Sequence, residues 1–242
     1  MKEELGIIIP VYNEAGNIQS TISAIEQKVR TLHKIYIVYD FNEDNTLPVA
    51  KDLCEAGMPI EFLKNPARGV ANAIKTGLRN AGGDYLLVTM ADLSDDYSVV
   101  DEMCSKMIQG YDIVCGSRYM KGGRQIGGPF LKKFLSRTVG LSLRYAANLP
   151  THDATNSFKL YRKSAVDSIG LESNNGFEIG MEIVVKAHIA GLRIAEVPCT
   201  WMDRQKGESR FKLFKWAPKY LKWYFLALRQ NFTRENKKQI VE

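Results

Sequence analysis

The chain has only four cysteines, Cys54, Cys104, Cys115 and Cys199, and only three histidines, His33, His152 and His188. No two cysteines stand as Cys-x-x-Cys, so the sequence offers neither a disulfide scaffold nor a structural zinc site. They are expected to be reduced thiols, as in a cytosolic protein. The histidines lie far apart and none belongs to a His-Glu-x-x-His pattern. Long apolar runs are also missing. Leu5 to Val11 is short and follows Glu3 and Glu4, which does not fit a signal peptide. Trp223 to Leu228 falls well below the roughly 20 apolar residues that a spanning helix needs. No internal repeat or low-complexity segment is visible.

What is present is a globular composition, with 45% hydrophobic and 25% charged residues over 242 positions. Such a length fits one domain with a short appendage, expected at 1–210 and 211–242. The net charge of +6 suggests an anionic partner: a phosphate, a nucleotide or an anionic membrane surface. Nucleic acid is not expected, because acidic loops interrupt the basic segments and no nucleic-acid motif occurs.

Short β-branched runs alternate with amphipathic ones through residues 5–118. Strands are expected at Leu5 to Val11, Ile35 to Tyr39, Ile60 to Leu63, Tyr85 to Met90 and Asp112 to Cys115. Helices are expected at Asn17 to Leu32, Leu47 to Ala56, Val70 to Ala81 and Tyr97 to Ile108. The alternation implies an α/β fold, a mostly parallel sheet with helices on both faces. Ligands then bind beyond the carboxyl ends of the strands. After residue 118 the pattern changes. A glycine-rich loop precedes a basic amphipathic helix, Phe130 to Leu149. Strands at Ser157 to Tyr161 and Ile194 to Pro198 flank a helix, Glu178 to Ala190.

Several clusters follow expected strands. Asp40 to Thr46 is rich in carboxylates and amides, which suit a nucleobase or ribose and equally suit capping of the next helix. Asp92, Asp95 and Asp96 lie within five positions, more than a cap requires. Carboxylates so placed can hold Mg²⁺ or Mn²⁺ against a diphosphate. Arg118, Lys132, Arg137, Arg204 and Arg210 form basic sets suited to phosphate. Near the C-terminus, Lys212, Lys215, Lys219 and Lys222 share one helical stripe, and Trp216, Tyr220 and Trp223 another. A basic, aromatic helix of this kind can lie in a membrane interface, unless Pro218 starts it late.

Ile7-Ile8-Ile9-Pro10-Val11-Tyr12-Asn13-Glu14 resembles the opening of family-two glycosyltransferases of the GT-A, Rossmann-like fold. Val38 to Thr46 sits where that family has Val-Asp-Asp-x-Ser-x-Asp-x-Thr, and Met90-Ala91-Asp92 sits at its Asp-x-Asp. Asn65 to Gly69 and Gly83-Asp84 match further landmarks. Gly116 to Tyr119, Asp153 to Lys159 and Gly207 to Arg210 resemble the dolichyl-phosphate mannose synthase branch. The likeness runs over about residues 5–230. Tyr39 and Met90 replace two of the family's aspartates, and Phe41 replaces a small residue.

The resemblance implies an inverting transfer of a hexose, mannose favoured, from GDP-mannose or a UDP-hexose to a polyprenyl phosphate. It implies donor binding by Pro10, Tyr12, Glu14, Asp40, Arg68 and Asp92, and a divalent metal, Mg²⁺ or Mn²⁺, on Asp92 helped by Asp95. Arg118, Lys132, Ser136, Arg204 and Arg210 would meet the acceptor phosphate. Asp153 would orient them, so that Asp92, Arg118 and Asp153 carry catalysis. Such a chain is expected to be cytoplasmic and peripheral on the cytoplasmic face of a membrane, with room for a membrane-anchor subunit. Competing readings are a sugar-hydroxyl acceptor, with Asp153 or Glu178 as base, and a non-catalytic nucleotide-sugar-binding subunit.

Overall fold

The computed structural model describes residues 4–174, 176–204 and 213–239; side chains are described for all of these except 213–216 and 231–239. Apolar strands alternate with helices from the start. β1 (Leu5–Val11), β2 (His33–Tyr39), β3 (Ile60–Lys64) and β4 (Tyr85–Val88) pair in parallel and are separated by α1 (Ala15–Lys28), α2 (Thr46–Glu55) and α3 (Val70–Asn80). A 3-10 turn, Tyr97–Val99, leads into α4 (Val100–Ile108) and β5 (Ile113–Ser117). The second part contains β6 (Arg124–Ile126), α5 (Phe130–Ala146), β7 (Lys159–Arg162), α6 (Lys163–Ser168) and α7 (Ile179–Ile189). It ends with β8 (Ile194–Pro198), β9 (Thr200–Met202) and α8 (Leu213–Gln239).

The main sheet has seven strands in the order β3-β2-β1-β4-β7-β5-β8. All pairings are parallel except those of β7, which runs antiparallel to both β4 and β5. Strand period divides the core in two. Ile8, Val38, Leu86 and Val88 face the layer of α3, α5, α7 and α8, while Ile7, Ile9, Ile37 and Leu87 face α1, α2 and α4. The chain leaves β1 toward β2 and β3, then returns to β1's other side as β4. The loops after β1 and β4 therefore diverge at a switch point, where such sheets open a crevice.

The mostly parallel α/β expectation holds, with end shifts of a few residues. The structure adds what short segments could not signal. β6 and β9 have three residues each, lie in glycine-rich or irregular stretches, and form a separate parallel pair. α8 begins at Leu213, so Pro218 lies inside the helix and does not start it. Trp223 and Ala227 seat α8 in the core with α5 and α7. Trp223 is buried, with the Lys186 ammonium 5.1 Å from its ring centre. The expected outward aromatic stripe is therefore corrected: among described residues of α8, the exposed large apolar side chains are Leu221 and Phe225. Lys212, Lys215, Trp216 and the expected 210/211 boundary lie outside the described residues or side chains. No described helix is long and apolar enough to cross a membrane.

Candidate active site

A cavity of about 970 Å³ opens over the carboxyl ends of β1, β2 and β4. Pro10, Tyr12, Glu14, Asp40, Arg68, Asp92, Arg118, Lys132, Ser136 and Arg204 all line it. It continues into a slot between α5 and α8, walled by Leu135, Val139, Tyr220, Leu221 and Tyr224.

At one end the loops are fixed by a buried carboxylate, Asp44, and a half-buried one, Asp40, both accepting from backbone amides. Asp44 accepts from Asn13 N at 3.1 Å, Thr46 N at 2.9 Å and Thr46 Oγ1 at 2.5 Å. The loop after β2 is thereby tied to the loop after β1, and Asn13 takes a left-handed φ of 55°, which asparagine tolerates. Asp40 accepts from Asn65 Nδ2 at 2.7 Å and Gly69 N at 2.8 Å. Gly69 has a φ of 102°, which a side chain would resist, so glycine is what brings that amide to Asp40. Phe41, one of the departures from the family pattern, meets the Tyr12 ring edge-on at 5.3 Å and forms an aromatic wall with it.

Asp92 reaches the cavity from a turn in which Leu93 adopts a left-handed φ of 59°. Such a conformation costs a branched residue about 1 kcal/mol or more and fits a functional turn. Asp92 Oδ1 accepts from the Ser94 amide and hydroxyl. Its Oδ2 accepts from Arg204 Nη2 at 2.7 Å, and Arg204 Nη1 stands 3.7 Å from Glu14 Oε1. Arg204, expected beside the acceptor phosphate, is thus seated on Asp92 and faces Glu14.

Asp95 is not at the cavity wall. It is buried behind β4, and its Oδ2 accepts from Thr89 Oγ1 at 2.7 Å and Met90 N at 3.3 Å. Burial, reinforced by the charge of Asp92, pushes its pKa up to about 7. Its expected part in metal binding does not follow from this placement, because the carboxyl is turned to Thr89 and the Met90 amide and away from the cavity. A thioether is likewise a poor partner for a hard cation, so Met90 supplies nothing. Asp92 alone, an oxygen donor facing the space where a diphosphate would lie, fits Mg²⁺ or Mn²⁺ completed by donor oxygens.

The other end is cationic. Asp153 is fully buried and accepts from Arg118 Nε at 2.6 Å, Nη2 at 2.8 Å and the Arg118 amide at 3.1 Å. Burial opposes the charge of Arg118, but the Asp153 carboxylate outweighs it and raises the pKa. Nη2 also donates to Ser136 Oγ at 3.0 Å and Thr155 Oγ1 at 3.3 Å. Tyr119 donates to Ser136 Oγ at 2.9 Å. Ser136 comes from α5, which approaches closely because Gly140 packs on the His152–Asp153 backbone; a Cβ there would collide with the His152 carbonyl. Burial, then the charges of Arg118 and Arg204, lowers the pKa of Lys132.

Asp153 stands behind Arg118 and not in the cavity wall. Arg210 lies outside the described residues. Reading the sequence missed Asp44 as the loop organiser, and Thr155 and Tyr119 as partners around Arg118. Asp44 and Thr155 fall inside motifs already singled out, but nothing local distinguishes them from their neighbours.

The chain matches the family model described as Glycosyl transferase family 2 over residues 6–170. It is 32% identical over 215 residues to a dolichol-phosphate mannosyltransferase of Pyrococcus furiosus, covering 86% of the chain and 59% of that relative. The chain thus spans less than two thirds of that protein's length. It is 27% identical over 237 residues to a polyprenol monophosphomannose synthase of Mycolicibacterium smegmatis, covering 87% of the chain and 86% of the relative. Among solved structures it resembles glucosyl-3-phosphoglycerate synthase from Mycobacterium tuberculosis in complex with Mn²⁺, UDP and glucosyl-3-phosphoglycerate. The TM-score is 0.67 at 16% identity, over 94% of this chain and 80% of that one. The same protein with Mg²⁺ and UDP gives 0.66, over 94% and 79%. At this identity the likeness is one of fold.

Proposed function

The chain belongs to glycosyl transferase family 2, and from that premise we propose that it transfers a hexose, mannose favoured, from a nucleotide-diphosphate sugar to a polyprenyl phosphate. The observation that carries this reading is the continuous cavity. It runs from the carboxylate-held loops past Arg118 and Lys132 into the apolar slot between α5 and α8. A nucleoside diphosphate, an acceptor phosphate and a prenyl chain would occupy those three stretches in order. The two curated relatives, by their names, act on such lipids.

In this reading the Tyr12–Phe41 wall and the loop held by Asp40 receive the nucleoside. Arg68 meets the donor. A divalent cation on Asp92, when bound, neutralises charge on the departing diphosphate. An acceptor-phosphate oxygen attacks the sugar's anomeric carbon from the face opposite the leaving group. The bond from that carbon to the diphosphate oxygen breaks, and the nucleoside diphosphate keeps the electron pair. The phosphate arrives already anionic, so this chain's residues position it and neutralise it and need not remove a proton. Arg118, held in one orientation by Asp153, presents the cation for that task, with Lys132 and Ser136 beside it.

The competing hydroxyl acceptor would need a carboxylate base. Asp153 is committed to Arg118 by two side-chain hydrogen bonds, and Glu178 does not line the cavity. Both facts weigh against that reading. The exposed stack of Phe130 and Phe134 on α5, 81% and 55% accessible, with Leu221 and Phe225 on α8, gives a face suited to a membrane interface. Docking there on the cytoplasmic side, with or without a membrane-anchor subunit, belongs to the same proposal.

The test is transfer of radiolabel from GDP-mannose and, in parallel, UDP-glucose to a short polyprenyl phosphate with Mn²⁺ or Mg²⁺. Label entering the organic phase, more from GDP-mannose, is the expected result. Label passing only to free sugar acceptors would overturn the lipid assignment.

A further inference from the structure

Arg204 was expected beside the acceptor phosphate but sits instead on the carboxylate that would hold a metal. Its Nη2 donates to Asp92 Oδ2 at 2.7 Å, and its Nη1 is 3.7 Å from Glu14 Oε1. The other oxygen of Asp92 is taken by Ser94. The pair is largely shielded, with side-chain accessibilities of 22% for Arg204 and 10% for Asp92. Met90 brings no carboxylate to the neighbouring position, and the Asp95 carboxyl is turned to Thr89.

We propose that Arg204 is an internal counter-ion of the donor site that competes with the divalent cation for Asp92 Oδ2. The inference rests on the reading of Asp92 as the metal carboxylate. A cation arriving alone must displace a charge-assisted hydrogen bond from Asp92 Oδ2. A cation arriving with a nucleoside diphosphate brings the replacement partner, since a guanidinium suits phosphate oxygens in the same forked geometry. Arg204 therefore makes the bare metal bind weakly and makes metal and nucleotide bind together. This coupling is reciprocal: each raises the other's affinity by the same factor. Released from Asp92, Arg204 is a cation for the diphosphate, which adds to the charge neutralisation at the leaving group.

The experiment is Mn²⁺ titration of the full chain, followed by electron paramagnetic resonance, with and without GDP or UDP. Wild type, Arg204→Ala, Arg204→Gln and Asp92→Ala are compared, each checked for a cooperative melt. Bare Mn²⁺ should bind about tenfold more tightly to Arg204→Ala, a change of about 1.4 kcal/mol. The gain in Mn²⁺ affinity on adding nucleotide should shrink in the same variant. Arg204→Gln, which keeps donors but no charge, should follow Arg204→Ala and serves if the alanine variant does not fold. Unchanged Mn²⁺ affinity in the folded arginine variants would overturn the competition. Retained Mn²⁺ binding in Asp92→Ala would instead overturn the metal assignment, and neither outcome bears on whether the acceptor is a lipid phosphate.

Discussion

The two ends of the cavity hold their carboxylates in opposite ways. At the end proposed for the donor, Asp44 and Asp40 accept mainly from backbone amides, joining the loop after β2 to those after β1 and β3. At the acceptor end Asp153 is gripped by one guanidinium, which it aims at the cavity. The first arrangement shapes loops, and the second orients a cation. Damage at the donor end should weaken nucleotide binding. Damage at the acceptor end should slow transfer and leave nucleotide binding nearly unchanged.

The largest effect should come from Asp153→Ala, which strands a buried arginine. Breaking a buried pair in this way costs about 3–5 kcal/mol, and urea unfolding should read that loss. Wild-type stability in the variant would remove the asymmetry between the two ends. Next comes Arg118→Ala. Removing one preorganised donor from a developing charge typically lowers turnover by about 100- to 1000-fold, and radiolabel transfer should fall by that order. Calorimetric nucleotide affinity should stay close to wild type; a parallel collapse of both would merge the two ends.

Asp44→Ala sharpens the contrast from the other side. It removes an acceptor from three donor groups, and each charged hydrogen bond is worth about 1.5–3 kcal/mol, so stability should fall by at least that amount. GDP or UDP binding should weaken, while transfer at saturating donor is largely kept. Asp95 gives a pH signature. Its ordinary value is 3.8, and in the fold it is pushed up to about 7. Between those values the folded chain keeps a proton that the unfolded chain has lost. Its contribution is therefore full below about pH 3.8 and is lost as pH rises through about 7. Asp95→Asn, which cannot ionise, should gain stability relative to wild type at pH 8 and not at pH 4, as melting temperatures will show. The smallest effect is expected for Tyr224→Phe, which removes one 3.2 Å hydrogen bond to Ser142 between α8 and α5, worth about 1 kcal/mol.

The same contrast explains what was legible in the sequence. The strand-helix alternation, and with it the sheet, follows from local periodicity. Donor-end residues could be found because each trails its own strand: Tyr12 and Glu14 after β1, Asp40 after β2, Arg68 after β3, Asp92 after β4. The cationic side chains, by contrast, find their partners across the chain. Arg118 meets a carboxylate 35 positions away, and Arg204 meets one 112 positions away. A basic cluster in a sequence states that cations are present but not which carboxylate each will face. Arg204, expected at the acceptor phosphate, is paired in the fold with Asp92. Asp95 and Asp92 looked alike in sequence, and only the fold turns one into the β4 layer and the other to the cavity.

The oriented arginine is proposed to serve an anionic acceptor. The most direct test is labelled-mannose transfer from GDP-mannose to a short polyprenyl phosphate, beside the matching polyprenol of equal chain length. Label is expected in the organic phase with the phosphate, and none with the neutral alcohol. Equal labelling of the alcohol would mean that Arg118 and Asp153 do not recognise a phosphate, and would overturn the anionic-acceptor assignment.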